Sequence, residues 1–256
     1  MKKVILAFFM FCLFTTCHQE NRQKLTIATA ANMQFAMEAL STSFTTETGI
    51  ECETIIGSSG KLTAQIKQGA PFDVFISADM KYPTVLYNSG MTTDAPKIYA
   101  YGNLVLWTTI PDIPFHNFAN CISLLASDTI HHIALANPKT APYGVAAIEV
   151  LKHYKLFEKV ESKLVFGESI AQTNQFITTQ AAEVGFTAKS VALSPKIKNI
   201  GQWVAIESDI YTPIAQGVVI LKQAENRLPQ SKKFYNFLFS AKAKEILDNF
   251  GYDVKD

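Results

Sequence analysis

Short apolar runs typical of buried strands alternate with helical patterns, and this alternation constrains the fold more than any other feature of the sequence. Residues 25–29 form such a run, and an apolar stripe with helical spacing follows over residues 35–44, with Asn32 as its expected N-cap. Residues 50–56 and 73–77 are further strand-like runs, each followed by a helical segment. Strands that alternate with helices fold into a parallel sheet covered on both faces. The first part of the chain therefore predicts an α/β unit.

The same order of strands and helices begins again after residue 100. Strands are predicted over 103–108, 133–136, 164–166, 184–186 and 218–221, with helices after 142 and 170 and over 231–239 and 241–250. The length favours two α/β lobes of about 100 residues each. Lobe I is expected to comprise residues 24–100 and 212–256, and lobe II residues 101–211. Crossovers are expected near 99–101 and 211–213, and the charged segment 222–233 is expected to be a solvated loop.

The N-terminus predicts export. Residues 4–14 are an uncharged apolar run, shorter than the roughly 20 residues that span a bilayer as a helix and typical of a signal peptide. The segment up to Cys17 resembles the lipobox of bacterial lipoproteins, although Phe14 and Thr16 depart from its usual residues. We expect residues 1–16 to be removed and Cys17 to carry lipid, with an ordinary signal peptidase cut as the alternative. The protein is then held on the periplasmic or cell-surface side of a bacterial membrane.

Charge and cysteine content exclude several classes of function. Lys+Arg number 23 against 22 Asp+Glu, so no basic face is expected and nucleic acid is not an expected partner. Cys52 and Cys121 follow the predicted signal, and their wide spacing does not resemble a zinc site. We expect two separate buried thiols, although an oxidising compartment also allows a disulfide.

Four predicted turns share one design, in which a strand ends, small or polar residues follow and a helix starts. They are residues 30–32, 57–60, 142–144 and 167–170. Ligands of open α/β sheets bind outside the carboxyl ends of the strands. Helix starts offer unpaired N–H groups and partial positive charge, so several of them aimed at one point bind an anion without Lys or Arg. The alternative is that the serine and asparagine side chains in these turns only cap helices.

Several segments resemble the molybdate-binding proteins of bacterial ABC importers. They are residues 30–33 (AANM), 57–62 (GSSGKL), 66–79 (IKQGAPFDVFISAD), 138–151, the region of 185–186, and the closing segments 234–238 and 249–252. The resemblance covers nearly the whole chain after the signal. It implies an α/β, two-lobe periplasmic-binding-protein fold of the type II kind, with the ligand cleft between the lobes. The lobes would close over one tetrahedral dianion.

The resemblance also implies ligand contacts from lobe I. Asn32 stands where the family usually supplies a serine hydroxyl, and its side-chain amide is still able to donate a hydrogen bond. Ala31 is its backbone neighbour. Ser59 aligns with the serine turn of the family, and Ser58 lies next to it.

In lobe II, the resemblance implies that Tyr143 and Ile170 each contribute a backbone N–H. The sequence departs from the family at Ala188, where a tyrosine hydroxyl is common. We hypothesise that the Tyr143 hydroxyl replaces this missing donor.

The implied function is that of the solute-binding component of an importer. Its ligand is molybdate or tungstate, its partners are an ABC permease and its ATPase, and a monomer is expected. It would have no enzymatic activity and no cofactor, and molybdenum would enter only as the oxyanion. None of the implied contacts is Asp or Glu, so the O–H of hydrogen phosphate would lack a carboxylate acceptor, at a cost of about 1–3 kcal/mol.

Two other functions stay open. One is binding of another oxyanion such as sulfate. The other, less favoured, is a secreted serine hydrolase using Ser59, which lacks the G-x-S-x-G context of such nucleophiles. Lys61 is expected to be solvated and Asp79 to cap a helix. His131 and His132, adjacent in a strand, would point to opposite faces and could not chelate one ion.

Overall fold

The computed structural model describes residues 24–254. The predicted signal peptide, residues 1–16, and the predicted lipid site at Cys17 lie outside these residues. Within the described part of the chain, no helix has both the length and the apolar character needed to cross a bilayer.

Strands alternate with helices over residues 25–88, as the sequence predicts, whereas strands over 97–102 and 202–205 were not predicted and each precedes another strand without an intervening helix. The strands are β1 (Leu25–Ala30), β2 (Cys52–Gly57), β3 (Val74–Ser77), β4 (Lys97–Gly102), β5 (Leu104–Thr108), β6 (Ile133–Ala136), β7 (Leu164–Gly167), β8 (Val184–Ala188), β9 (Gln202–Ala205) and β10 (Ile214–Ile220). The helices are α1 (Gln34–Thr48), α2 (Ser59–Lys67), α3 (Lys81–Asn88), α4 (Phe118–Leu124), α5 (Pro142–His153), α6 (Phe157–Val160), α7 (Ile170–Thr178), α8 (Lys189–Ala192), α9 (Leu228–Leu238) and α10 (Ala241–Asn249).

Two five-stranded sheets form the centres of two lobes, with strand orders β2-β1-β3-β10-β4 and β7-β6-β8-β5-β9. In each sheet the three strands named first run parallel to one another. The other two strands are antiparallel to their neighbours. The expected parallel arrangement of the first three strands is confirmed. The antiparallel strands are those through which the chain enters or leaves each lobe, and they make both sheets mixed. The predicted α/β two-lobe fold is confirmed.

The chain passes between the two sheets twice. It leaves the first sheet after Gly102, enters the second at Leu104, and returns between Ala205 and Ile214. The return includes residues 211–213, near which we expected a crossover, whereas residues 99–101, near which we expected the other, belong to β4, and that crossing lies just beyond them at residue 103. Strand β4 thus runs two residues beyond residue 100, where the sequence places the end of the first part of lobe I.

Apolar residues at helical spacing fix α1 on the first sheet. Met37, Leu40 and Phe44 are fully buried, and burial of each such side chain contributes about 1.5–3 kcal/mol. The ring of Phe44 packs edge-on against Phe234 of α9, with the ring centroids 5.2 Å apart. Gly49 ends the helix with φ of +70°, a left-handed conformation that favours glycine. The C-terminal helices are thereby packed onto the N-terminal part of the chain.

The segment 222–233, expected to be a solvated loop, is ordered by a buried ion pair. A 3₁₀ turn (Lys222–Arg227) leads directly into α9. Arg227 Nε donates to both carboxylate oxygens of Asp73, at 2.9 and 2.8 Å. Asp73 is fully buried and also accepts the N–H of Thr26 at 2.7 Å. The expectation was wrong because a buried carboxylate requires a partner, and the distant Arg227 supplies it.

Cys52 and Cys121 are both free thiols, as expected. Cys52 lies in β2 and is half-buried, whereas Cys121 lies in α4 of the other lobe and is buried. Burial raises the pKa of Cys52 to about 11.

Candidate functional site

The carboxyl ends of strands from both sheets meet at one small cavity between the lobes. The cavity is too small for an organic molecule. The residues that line it are Ala30, Ala31, Asn32, Ser58, Ser59, Ala78, Ala141, Pro142, Tyr143 and Ile170. The structure thus brings together all six residues that the resemblance implies. No lining residue carries a charged side chain.

Helix starts present backbone N–H groups at this cavity. Ser59 and Ile170 are the first residues of α2 and α7. In α5 the first residue is Pro142, which has no N–H, so Tyr143 is the first donor of that helix. The N–H groups of a first helical turn have no intrahelical acceptor, and the helix dipole adds partial positive charge there. Three helices from two lobes therefore create an electropositive site without any cation.

Two serine hydroxyls add to these donors. Ser59 Oγ accepts the N–H of Ala78 at 3.0 Å, which leaves its own hydrogen free to be donated. Ser58 Oγ is buried without a hydrogen-bond partner among the described residues. Because buried hydroxyls are nearly always paired, an unpaired one on a cavity wall indicates a ligand or a water as its partner.

Asn32 lines the cavity, but its side chain does not supply the donor that we expected. Its amide nitrogen donates to Gln216 Oε1 at 2.9 Å and to Tyr252 Oη at 3.0 Å, which uses both amide hydrogens. The expected N-cap is also wrong, since Asn32 lies inside a 3₁₀ turn (Ala31–Met33) that precedes α1. The reason is tertiary, because β10 and the C-terminal segment place polar groups beside the amide. Residue 32 thus has only its backbone N–H to offer a ligand.

Tyr143 also lines the cavity, but its hydroxyl lies elsewhere, beside Gly102. A Cβ added at Gly102 would overlap the Tyr143 hydroxyl oxygen and would lie 2.6 Å from Gln216 Nε2. Neither Gly102 nor Gln216 lines the cavity. The hydroxyl therefore points to the chain crossing, so the structure does not support our hypothesis that it replaces the tyrosine missing at Ala188. Burial raises the pKa of Tyr143 well above its usual range, which keeps the hydroxyl neutral.

Contacts between the lobes close the cavity. The N–H of Gly60 donates to the carbonyl of Thr140 at 2.9 Å, and the Tyr82 hydroxyl donates to the carbonyl of Lys139 at 3.1 Å. Lys61 is half-exposed, as expected of a solvated side chain, but it has an ion-pair partner. Its Nζ pairs with Glu168 Oε1 of the other lobe at 2.6 Å. These contacts describe a closed conformation with the cation outside the cavity.

The remaining residues that the sequence singled out do not line the cavity. Asp79 Oδ1 accepts the N–H of Tyr82 at the start of α3, at 3.2 Å, which confirms a capping contact. The backbone N–H groups of His131 and His132 both donate to Glu183.

Within residues 24–254, no cluster of three His, Cys, Asp or Glu side chains could hold a metal ion. No histidine or carboxylate lines the cavity to activate Ser59.

Comparison with known proteins places this geometry in a family. Residues 25–253 match the family model described as bacterial extracellular solute-binding protein. The molybdate-binding protein ModA of Azotobacter vinelandii is 38% identical over 231 residues, which are 90% of this chain and 89% of the relative. A putative ABC transporter substrate-binding lipoprotein, YvgL of Bacillus subtilis, is 30% identical over 92% of this chain and 88% of its own.

A solved structure agrees with these sequence matches. The periplasmic molybdate-binding protein of Azotobacter vinelandii superimposes with a TM-score of 0.85 at 33% identity, covering 91% of this chain and all of that chain. The resemblance seen in the sequence is confirmed. The chain belongs to the bacterial extracellular solute-binding proteins and, among them, to the family of molybdate-binding proteins.

Proposed function

We propose that this protein captures molybdate, or its close analogue tungstate, as a tetrahedral dianion between its two lobes. The observation that carries the proposal is the small uncharged cavity, walled by the starts of three helices and by two serine residues. The backbone N–H groups of Asn32, Ser59, Tyr143 and Ile170 and the hydroxyls of Ser58 and Ser59 would replace the hydration shell of the ion. The names of the relatives support this choice of ligand.

Selectivity follows from what the cavity lacks. No carboxylate lines it, so a protonated oxyanion such as hydrogen phosphate would bury an O–H without a strong acceptor. An unpaired buried hydrogen-bonding group costs about 1–3 kcal/mol. Sulfate has the same charge and shape as molybdate but is smaller, so its N–H and O–H contacts would be longer.

The protein would act by capture and delivery rather than by catalysis. Closure of the lobes excludes water, which strengthens each hydrogen bond to the dianion. The closed form would then dock on an ABC permease, whose ATPase drives release. The protein would need no cofactor and would act as a monomer.

Calorimetry on the Ser59→Ala variant tests the binding site. Loss of one donor to a dianion is expected to weaken molybdate binding about 10- to 150-fold, equivalent to about 1.5–3 kcal/mol. Ser231→Ala is the matched control, because the Ser231 hydroxyl is buried and donates to the carbonyl of Arg227, away from the cavity. The control should bind molybdate like the wild type.

Three results would contradict the proposal. They are unchanged molybdate affinity in Ser59→Ala, sulfate binding to the wild type as tightly as molybdate, and ester or peptide turnover by the wild type that Ser59→Ala abolishes. The third result would establish the hydrolase alternative.

We further propose that Cys17 carries the lipid that anchors the protein outside the cytoplasm. The lipoprotein name of the Bacillus relative supports this assignment. A Cys17→Ser variant of the full chain should move from the membrane fraction to the soluble fraction or the medium. Retention of both forms in the membrane fraction after a high-salt wash would contradict the proposal.

A further inference from the structure

Two buried polar atoms of the described residues lie side by side without hydrogen-bond partners, next to the point where the chain passes between the lobes. They are Tyr143 Oη and Gln216 Nε2. Both adjoin Gly102, because a Cβ there would overlap the hydroxyl oxygen and lie 2.6 Å from the amide nitrogen. The glycine leaves the space that both groups occupy. One atom is a donor and the other an acceptor, and buried groups of this kind are rarely left unpaired.

The other end of the Gln216 side chain is already bonded. Gln216 is fully buried, and its Oε1 accepts from Asn32 Nδ2 at 2.9 Å and lies 3.3 Å from the Tyr99 hydroxyl. The pairing of β10 with β4 shifts register between Gln216 and Gly217. Such a bulge redirects a side chain locally, which is a recurrent device beside binding sites.

Asn32 and Tyr143 share an unusual arrangement. One belongs to lobe I and the other to lobe II, and both line the cavity while their polar side-chain ends lie at Gln216. Asn32 is held further by its backbone carbonyl, which accepts from the Tyr252 hydroxyl at 3.0 Å and from the Ser190 hydroxyl of lobe II at 2.8 Å. A displacement of either side chain would shift the backbone N–H that faces the ligand.

We propose that Gln216 is a positioning residue of the oxyanion site, whose amide carbonyl holds Asn32 and whose amide N–H donates to the Tyr143 hydroxyl. One side chain thereby fixes a backbone donor on each lobe without touching the ligand. Residues that set the orientation of contact residues commonly change affinity 10- to 100-fold when altered, as is known for metal sites. The inference rests on the proposed function, because it presumes a dianion in the cavity.

A double-mutant cycle on the full-length protein tests this role, with molybdate as the probe and calorimetry as the measurement. Gln216→Leu keeps the approximate volume but removes both hydrogen-bonding groups, and it should weaken binding by about tenfold or more. Tyr143→Phe removes only the hydroxyl and should weaken binding less. If the hydroxyl acts through Gln216, the double variant should bind within about twofold of Gln216→Leu, because coupled residues are not additive.

Unfolding temperatures of the ligand-free variants separate positioning from folding. Ser231→Ala, a buried hydroxyl in the same lobe, should lower the unfolding temperature slightly and leave the dissociation constant unchanged. A purely structural Gln216 would behave in the same way, and that result would overturn the proposal. Full additivity of Gln216→Leu and Tyr143→Phe would also overturn it, since the hydroxyl would then act independently. Failure of the wild type to bind molybdate would instead contradict the proposed function.

Discussion

At the scale of single residues, two residues that line the cavity direct the polar ends of their side chains away from it. Asn32 and Tyr143 line it, yet their polar side-chain ends lie in a buried network near the chain crossing. Only the serine residues can offer hydroxyls there. The family pattern identifies the residues correctly as neighbours of one cavity, but it does not indicate which atoms face inwards.

The unpaired hydroxyl of Ser58 gives a prediction that differs from that for Ser59. Ser58→Ala removes a buried group that has no partner in the described residues, so the ligand-free protein should unfold at the same or a slightly higher temperature. Molybdate affinity should nevertheless fall about tenfold, because a donor to the dianion is lost. Differential scanning calorimetry and titration calorimetry measure the two effects. A lower unfolding temperature with unchanged affinity would show that the hydroxyl is structural.

At the scale of secondary-structure elements, the site is built from repeated strand–turn–helix units. Each lobe directs the carboxyl ends of its parallel strands to the cleft, and α2, α5 and α7 begin at the cavity. Their partial charges remain fixed when the ligand binds, so little reorganisation is needed. At the opposite end of the second sheet, the amino end of β6 is held by a side chain, the carboxylate of Glu183, which accepts two backbone N–H groups.

Glu183 stabilises that end of β6 in a pH-dependent manner. Burial raises the pKa of its carboxyl group, but the backbone N–H groups of His132, Glu183 itself and His131 outweigh burial, and the pKa is lowered. A lowered pKa in the folded state means stability that is present above the pKa of the unfolded chain, about 4.3, and is lost as pH falls below it. Glu183→Gln should therefore lower the unfolding temperature at pH 7, and the difference should disappear towards pH 3.

The exposed Glu158 provides the control for this effect. Glu158→Gln should leave the unfolding temperature nearly unchanged at both pH values. If Glu183→Gln were as stable as the wild type at pH 7, the hydrogen bonds to the two histidine N–H groups would contribute no net stability.

At the scale of the whole molecule, binding depends on two lobes that meet around the cavity, where Ala31 and Ala78 of lobe I pack in one buried cluster with residues of lobe II. Direct contacts hold them together at the cavity mouth, including the Gly60–Thr140 backbone hydrogen bond and the Lys61–Glu168 ion pair. The ion pair is half-exposed and contributes little, about 0–1 kcal/mol. Closure therefore depends more on the close approach of the backbones at Gly60 and Thr140 than on the ion pair.

Gly60→Ala tests that requirement. A Cβ at residue 60 would lie 2.8 Å from the Tyr82 hydroxyl oxygen and 3.0 Å from Thr140 Cα of the other lobe. Alanine favours the helix over glycine by about 0.5–1 kcal/mol, so the ligand-free protein should be as stable or slightly more stable. Molybdate affinity should fall about tenfold, because the closed form is opposed. Small-angle scattering should show less compaction on adding molybdate than in the wild type.

A Lys61→Met variant provides a contrast on the same helix. It removes only the ion pair and should change the dissociation constant by less than about fivefold. Equal binding and equal compaction by Gly60→Ala and the wild type would show that the closed conformation tolerates the extra methyl group.

The sequence by itself determined the alternation of strands and helices, the family, and the residues that meet at the cavity. The alternation could be predicted because buried strand runs, helix periodicity and turn residues are local patterns. The family and the cavity residues were implied by the resemblance of several segments to molybdate-binding proteins. Tertiary structure alone decided the mixed sheets, the pairing of Arg227 with Asp73 and the side-chain directions of Asn32 and Tyr143. Asn32 and Gln216 are 184 residues apart in the sequence. A hydrogen bond across that separation depends on how the folded chain packs, and no local pattern records it.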